Sequence, residues 1–361
     1  MIVLTRNRVG VVLGLALLLV GGIVGVRAYQ YCVGYYRQEY LPESKGSALS
    51  YYYVDWRRDW TDDAELARAT PEGPVRFPRA VEVSSETWRY DPISVVQTGL
   101  TLHDQILDEL GDGRRSLSSR GVPTERSPGE AGTLDRFEIL VAQVDWLHEN
   151  AEWRPDSVAV WPIPWYAGRY GLAPPWYSAL SQGQGISLLV RTAAWGRPDD
   201  LVLAKAAVRS LLESDLPIVV RDARGVRFLE EFPVEPGPEV LNGCLLAWLG
   251  LWDFVRATDD ERLRAQCLEL LTRIEAQVPE YELSRWGLSG WTRYDRETSL
   301  PTSPTYQELH AAVALAIAEE TGREFWYERA ERWRRAASSL TRRLYVFGLV
   351  AWDKAWDKVW N

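Results

Sequence analysis

The chain has 361 residues, 46% hydrophobic and 25% charged, the composition of an ordinary globular protein with room for a large core. Its formal net charge of -9 comes without a concentrated basic face, so the counterion-release chemistry of nucleic-acid binding is not expected. Three cysteines and three histidines form no CxxC pair and no metal-ligand spacing, so neither a metal nor a cofactor is expected. Cys244 and Cys267 fall in apolar helical patterns and read as small buried thiols, with a disulfide between them as the alternative.

Val9 to Val26 is a run of 18 uncharged residues preceded by Arg6 and Arg8. As a helix it reaches roughly 27 Å, close to the ~30 Å hydrocarbon thickness of a bilayer. The run therefore reads as a single-pass anchor over residues 9–26, with cleavage near Ala28 as the alternative. The two arginines leave the N-terminus cytoplasmic and the bulk of the chain extracytoplasmic. Residues 29–88 form an aromatic-rich arm without a sustained period.

Pro92 suits the first turn of a helix that continues through Leu110, and the Gly, Ser, Pro and Arg of residues 111–132 read as a loop. Apolar-periodic segments then alternate with short turns: 134–150, 176–195, 201–214, 240–257, 260–278, 306–320 and 324–345. Asp199 and Asp259 are expected N-caps, and Gly322 a C-cap. Two short strands, 217–220 and 226–229, turn at Asp222–Gly225 and present Glu230-Glu231-Phe232-Pro233 at a rim. The expected fold is mainly α, an incomplete (α/α) toroid of helical hairpins with a small β-hairpin, preceded by the transmembrane anchor. Ala351 to Trp360 repeats every four residues, which sets three tryptophans in one helical stripe. That tail, residues 346–361, reads as a packed terminal helix or as a contact surface.

Eighteen tryptophans and seventeen tyrosines exceed what a core needs, and several cluster in turns such as Trp161–Tyr166 and Pro174–Tyr177. Aromatic faces stack on the apolar CH faces of sugar rings, while the Tyr OH and Trp NH serve the polar rim, so a carbohydrate cleft is expected.

The segment Pro175-Trp176-Tyr177-Ser178-Ala179-Leu180-Ser181-Gln182-Gly183-Gln184-Gly185 closely resembles the signature of the D-glucuronyl C5-epimerase C-terminal domain. Tyr90-Asp91-Pro92-Ile93, Asp145-Trp146-Leu147, Glu230–Pro233, Val240–Gly243, Tyr294-Asp295, Tyr306 with His310, and Thr321-Gly322 follow in that family's order. The resemblance implies an epimerase that inverts C5 of D-glucuronic acid to L-iduronic acid in heparan-type chains, within a domain spanning 89–345.

From the resemblance, Glu231 is the expected catalytic glutamate and Tyr306 a catalytic tyrosine. Arg296 is the expected catalytic cation, although the family's arginine stands one residue further from its tyrosine. Tyr90, Tyr166, Trp176, Tyr177, Gln182, Gln184, Arg191, Asn242, Tyr294 and His310 are expected to line the substrate cleft. For Gln182, Gln184, Asn242 and His310, hydrogen bonding between helices is an equal alternative. Glu230 is expected to be the solvated neighbour of Glu231. The chain departs from the family at Phe232, where the family has a tyrosine, and lacks the long β-rich insertion of the animal enzymes. A polysaccharide lyase or hydrolase, or a binding module that kept only the fold, remain the alternatives. The expected partners are a uronic-acid polysaccharide and a membrane, through residues 9–26; a homodimer is left open.

Overall fold

The computed structural model describes residues 88–109, 131–284 and 287–360, with Phe77–Pro78 and a few positions between 22 and 28. Most of the expected anchor, most of the aromatic arm and most of the 111–132 loop lie outside the described residues. Among those described, no helix is long and apolar enough to cross a membrane.

The described chain is mainly helical. Its helices are α1 Pro92–Glu109, α2 Ala131–Glu149, α3 Ala179–Ala193 and α4 Pro198–Leu212. They continue with α5 Leu241–Thr258, α6 Glu261–Gln277, α7 Pro304–Thr321, α8 Glu324–Ser338 and α9 Leu340–Trp360. Four antiparallel strand pairs interrupt them: β1 Phe77–Pro78 with β2 Trp88–Arg89, β3 Glu152–Arg154 with β4 Val158–Val160, β5 Val219–Asp222 with β6 Gly225–Leu229, and β7 Glu282–Leu283 with β8 Trp291–Thr292.

Packing sorts the helices into two rows. Helices α1, α3, α5 and α7 touch in succession, and α2, α4, α6 and α8 each pack on the preceding member of that row. The helices thus pack as a succession of hairpins. The row position is written in the sequence: Leu241 to Val255 of α5 is buried at every residue, whereas α6 buries only Leu263, Cys267, Leu270, Leu271 and Ile274. A helix apolar on all sides belongs inside, and one with a single apolar stripe belongs on the surface. Each Leu or Val so buried contributes about 1.5–3 kcal/mol.

Glycine lets α3 and α5 meet backbone to backbone. A Cβ at Gly183 would lie 2.3 Å from Ala247 Cα, and one at Gly250 would lie 2.0 Å from the Gly183 carbonyl oxygen. The close approach offsets the roughly 1 kcal/mol that a helical glycine costs relative to alanine.

Several details differ from the sequence expectation. Asp259 is in the left-handed conformation (φ 50°) as the C-cap of α5, and Asp260 is the N-cap of α6, accepting from the Leu263 N–H at 2.9 Å. Asp199 lies inside the first turn of α4 rather than at its cap. Gly322 (φ 68°) ends α7 as expected. Cys244 and Cys267 are both free and buried, so no disulfide joins them. Helix α9 is continuous from Leu340 to Trp360, so the tail boundary at 345/346 falls within it. Its Val346, Leu349 and Val350 pack with Leu283, Leu288 and Trp291.

Candidate active site

The candidate site gathers at the N-terminal ends of three inner-row helices. Beyond β6 the chain enters Glu230, whose N–H donates to Ile218 O (2.8 Å) and whose carbonyl accepts the Ala179 N–H at the start of α3 (3.0 Å). The Leu241 N–H at the start of α5 donates to Tyr294 O (3.1 Å). Tyr306 sits in the first turn of α7, where Ser303 Oγ accepts its N–H (3.3 Å) and Pro304 stands at the head of the helix. Helix starts leave unpaired N–H groups, so neighbouring chain segments satisfy them here and are fixed in place by doing so.

Glu231 is 5% exposed, and its Oε2 has no hydrogen-bond partner among the described residues. Burial, then the neighbouring Glu230 charge, push its pKa up to about 8 against a hydrogen bond with Tyr294. The Tyr294 and Tyr306 rings meet edge to face at 4.9 Å. Burial and the Glu231 charge raise both phenols, Tyr306 to about 12 and Tyr294 well above 10. A titratable carboxyl and two neutral phenols therefore share one site.

Glu230 is not solvated. It is 1% exposed, its Oε2 accepts the Glu239 N–H (2.8 Å) and its Oε1 accepts the Phe232 N–H (3.3 Å). Glu231 turns toward the tyrosines, while Glu230, whose burial is offset by two backbone N–H donors, braces the 231–239 loop. Burial raises the Glu230 pKa to about 7 despite these donors.

A second loop completes the cluster. Ile163 pairs with Trp176, and Ala167 with Leu172, which leaves Gly168-Arg169-Tyr170-Gly171 at the tip (Gly171 φ 65°). Arg169 Nη2 donates to Asp295 Oδ2 (2.7 Å), and the Tyr170 hydroxyl donates to the same oxygen (3.0 Å). The Arg169 guanidinium lies over the Tyr170 and Tyr294 rings, 5.2 and 5.3 Å from their centroids. Phe232 stacks on Tyr170 at 4.3 Å and tilts against Trp176 at 5.4 Å.

The other expected residues divide. Arg296 donates to Glu239 Oε2 (2.6 Å) and to Glu280; it holds the 238–239 loop and is not the cation beside the phenols. Arg191 is 1% exposed and paired with Asp253 Oδ2 (2.6 Å) between α3 and α5, inside the core and not in a cleft. His310 is fully buried, its Nδ1 2.7 Å from Thr292 Oγ1, and burial drives its pKa down to about 3, so it is a neutral core histidine. Gln184 accepts from Gln97 Nε2 (3.1 Å), a bond from α3 to α1.

Gln182, Asn242 and Ser178 are buried at the helix ends that flank Glu231. Both Gln182 amide atoms, Asn242 Oδ1 and Ser178 Oγ lack partners among the described residues. Trp176 is buried and its Nε1 donates to Trp165 O (2.7 Å). Tyr177 bonds to Glu152 (2.8 Å) and Arg154 (3.0 Å), Tyr90 packs on Trp146, and Tyr166 is 41% exposed. Among the described residues no group of three or more His, Cys, Asp or Glu could hold a metal ion.

A family model described as the D-glucuronyl C5-epimerase C-terminus matches residues 155–335, half of the chain. The chain belongs to this family. It is 30% identical over 252 residues to the D-glucuronyl C5-epimerase of Caenorhabditis elegans, covering 64% of this chain and 40% of the relative. It is 25% identical over 203 residues to an uncharacterized protein of Methanocaldococcus jannaschii, covering 55% of this chain and 64% of that protein. The chain thus spans less than two thirds of the length of either relative.

The C5-epimerase match contains Glu231, Tyr294 and Tyr306 and also the 168–171 loop tip. Arg169, Tyr170 and the role of Asp295 were missed in the sequence. A glycine-bracketed cation between two aromatic turns is the signal in the sequence that marks this loop. In the Tyr294-Asp295 block only the tyrosine was given a role, although the aspartate is the residue that ties the two loops together.

Proposed function

We propose that this chain inverts C5 of D-glucuronic acid, or of a related uronic acid, within a polysaccharide, by removing the C5 proton and returning one to the opposite face. The observation that carries the proposal is the buried Glu231 carboxyl, Oε2 unpaired, beside the Tyr294–Tyr306 pair. Membership of the C5-epimerase family supports it.

In the forward direction the Glu231 carboxylate takes the C5 proton as the C5–H bond breaks, and the electron pair spreads onto the uronate carboxyl group. A phenol, Tyr306 or Tyr294, then gives its proton to the other face of C5. Glu231 ends protonated and the tyrosine ends as phenolate; exchange with water resets both. Epimerisation back uses the same groups with roles reversed. A pKa near 8 suits a group that must both accept and release a proton near neutral pH. The same export expectation stands as part of this proposal: the 9–26 run would carry the site outside the cytoplasm, which a C-terminal reporter fusion tests.

Deuterium uptake at C5, measured in heavy water on a panel of uronic-acid polymers, tests the reaction. Uptake without chain shortening supports epimerisation. Appearance of a conjugated double bond absorbing in the ultraviolet would make the protein a lyase, and absence of uptake on every polymer would leave a binding module.

A further inference from the structure

We propose that Arg169 is the residue that holds the uronate carboxylate, a positioning and specificity role that rests on the reading of Glu231, Tyr294 and Tyr306 as the reacting groups. The requirement is chemical. Removing the C5 proton drives charge onto a carboxyl group that is already negative, so a fixed cation there lowers the barrier more than it strengthens ground-state binding.

Arg169 meets that requirement on four independent counts. First, it faces the reacting groups: its guanidinium lies over the Tyr294 ring, and its charge is felt by both the Tyr294 and Tyr306 phenols. Second, it is held. Asp295, buried in the protein, accepts from Arg169 Nη2 at 2.7 Å, from the Tyr170 hydroxyl at 3.0 Å and from the Thr298 N–H at 2.7 Å, so the carboxylate that anchors the arginine is itself fixed. The Tyr170 ring lies beneath the guanidinium and is in turn stacked on Phe232.

Third, it is open. The Arg169 side chain is 56% exposed whereas Asp295 is 1% exposed, so the bond to Asp295 occupies its buried end and leaves further N–H groups of the guanidinium facing solvent. A planar guanidinium with one N–H group anchored is set to offer paired donors to a second planar anion. Fourth, Arg296, next in the chain to Asp295, and Arg227 are engaged elsewhere. Arg227 and Arg296 both bond to Glu239, and Arg296 to Glu280 as well. Fixing a cation in advance also removes the ordering cost of a mobile side chain at the moment of binding.

Binding of a uronate oligosaccharide, and of the same oligosaccharide with its carboxyl groups reduced to alcohols, tests the proposal by calorimetry on wild type, Arg169→Ala and Arg169→Lys. Circular dichroism melts check folding. Wild type should prefer the uronate form. Arg169→Ala should lose at least tenfold affinity for it and less than twofold for the reduced form, with Arg169→Lys between, because lysine keeps the charge but loses the paired donors. In the C5 exchange assay Arg169→Ala should lower kcat by about 10²-fold as well as raise KM. Equal loss for both oligosaccharides, or an unchanged uronate preference, overturns the role of Arg169. Because binding is read without turnover, a wild type that discriminates through Arg169 yet shows no C5 exchange sinks the epimerase reading alone. A wild type that exchanges while Arg169→Ala keeps its kcat and KM sinks this inference alone.

Discussion

The Glu231 carboxyl stands against the backbone of Gly243: a Cβ on that glycine would lie 2.5 Å from Glu231 Oε2 and 2.6 Å from Glu231 Cβ. The first turn of α5 thus forms one wall of the pocket around the carboxyl, and only hydrogen at that position leaves room. Gly243→Ala gains about 1 kcal/mol of helix propensity but overpacks Glu231, at about 1–3 kcal/mol. The expected result is a nearly unchanged or slightly lowered melting temperature with C5 exchange reduced by at least tenfold. Retention of full exchange would show that Glu231 need not sit where it does.

The pH dependence follows from the proton count. In the proposed reaction, either direction needs one proton shared between Glu231 and the phenol opposite. Below about pH 8 the carboxyl is protonated and the pair holds two; between about 8 and 12 it holds one. The kcat/KM for C5 exchange is therefore expected to rise roughly tenfold per pH unit up to about 8 and then level, with the same midpoint for the glucuronate and iduronate directions. A profile that falls through pH 8 would exclude Glu231 as the group that must be ionised.

Stability should carry the same signature. The Glu231 pKa is raised from the usual 4.5 to about 8, so the folded protein holds its proton more tightly than the unfolded chain does. Below about pH 4.5 both states are protonated and the site costs nothing. Between about 4.5 and 8 the unfolded chain releases its proton first, so stability falls with rising pH, by an amount on the order of 3 to 4 kcal/mol. Glu231→Gln removes the titration while keeping the shape. Denaturant midpoints should show the variant increasingly more stable than wild type from pH 5 to pH 8; a constant difference would mean that Glu231 is not buried as a titrating group.

How much of this was legible in the sequence depended on whether the signal was local. The β5–β6 hairpin was readable because two short runs rich in apolar residues flank Asp222-Ala223-Arg224-Gly225, and the structure pairs Val219–Asp222 with Gly225–Leu229. The inner helices were readable because residues buried on all sides are mostly apolar, as in Leu241–Val255, where Asn242 and Asp253 are the polar exceptions. The partners of charged residues were not readable. Arg191 pairs with Asp253 and Arg296 with Glu239, both across long separations that no spacing rule reveals. Arg169 was missed for the same reason, since its partner Asp295 is 126 residues away. Burial of Glu230 was hidden too, because an extended segment alternates its side chains without saying which sides are dry.

Glu230 therefore carries a prediction opposite to the one its expected exposure would give. Its two oxygens accept from two different backbone donors, Glu239 N and Phe232 N, which together hold the loop that follows Glu231. Glu230→Gln keeps one acceptor and turns an NH₂ group toward the other N–H, a buried mismatch worth about 1–3 kcal/mol. Two consequences are expected. The loop loosens, so kcat for C5 exchange drops by roughly tenfold, within the range that a small misplacement of a reacting group produces. The Glu230 charge, which helps to raise the Glu231 pKa, is also removed, so the midpoint of the pH profile moves below 8. A merely structural glutamate would lower kcat without moving that midpoint. The full pH profile of Glu230→Gln beside wild type separates the two cases, and an unshifted midpoint with normal kcat would show that the two carboxyls act independently.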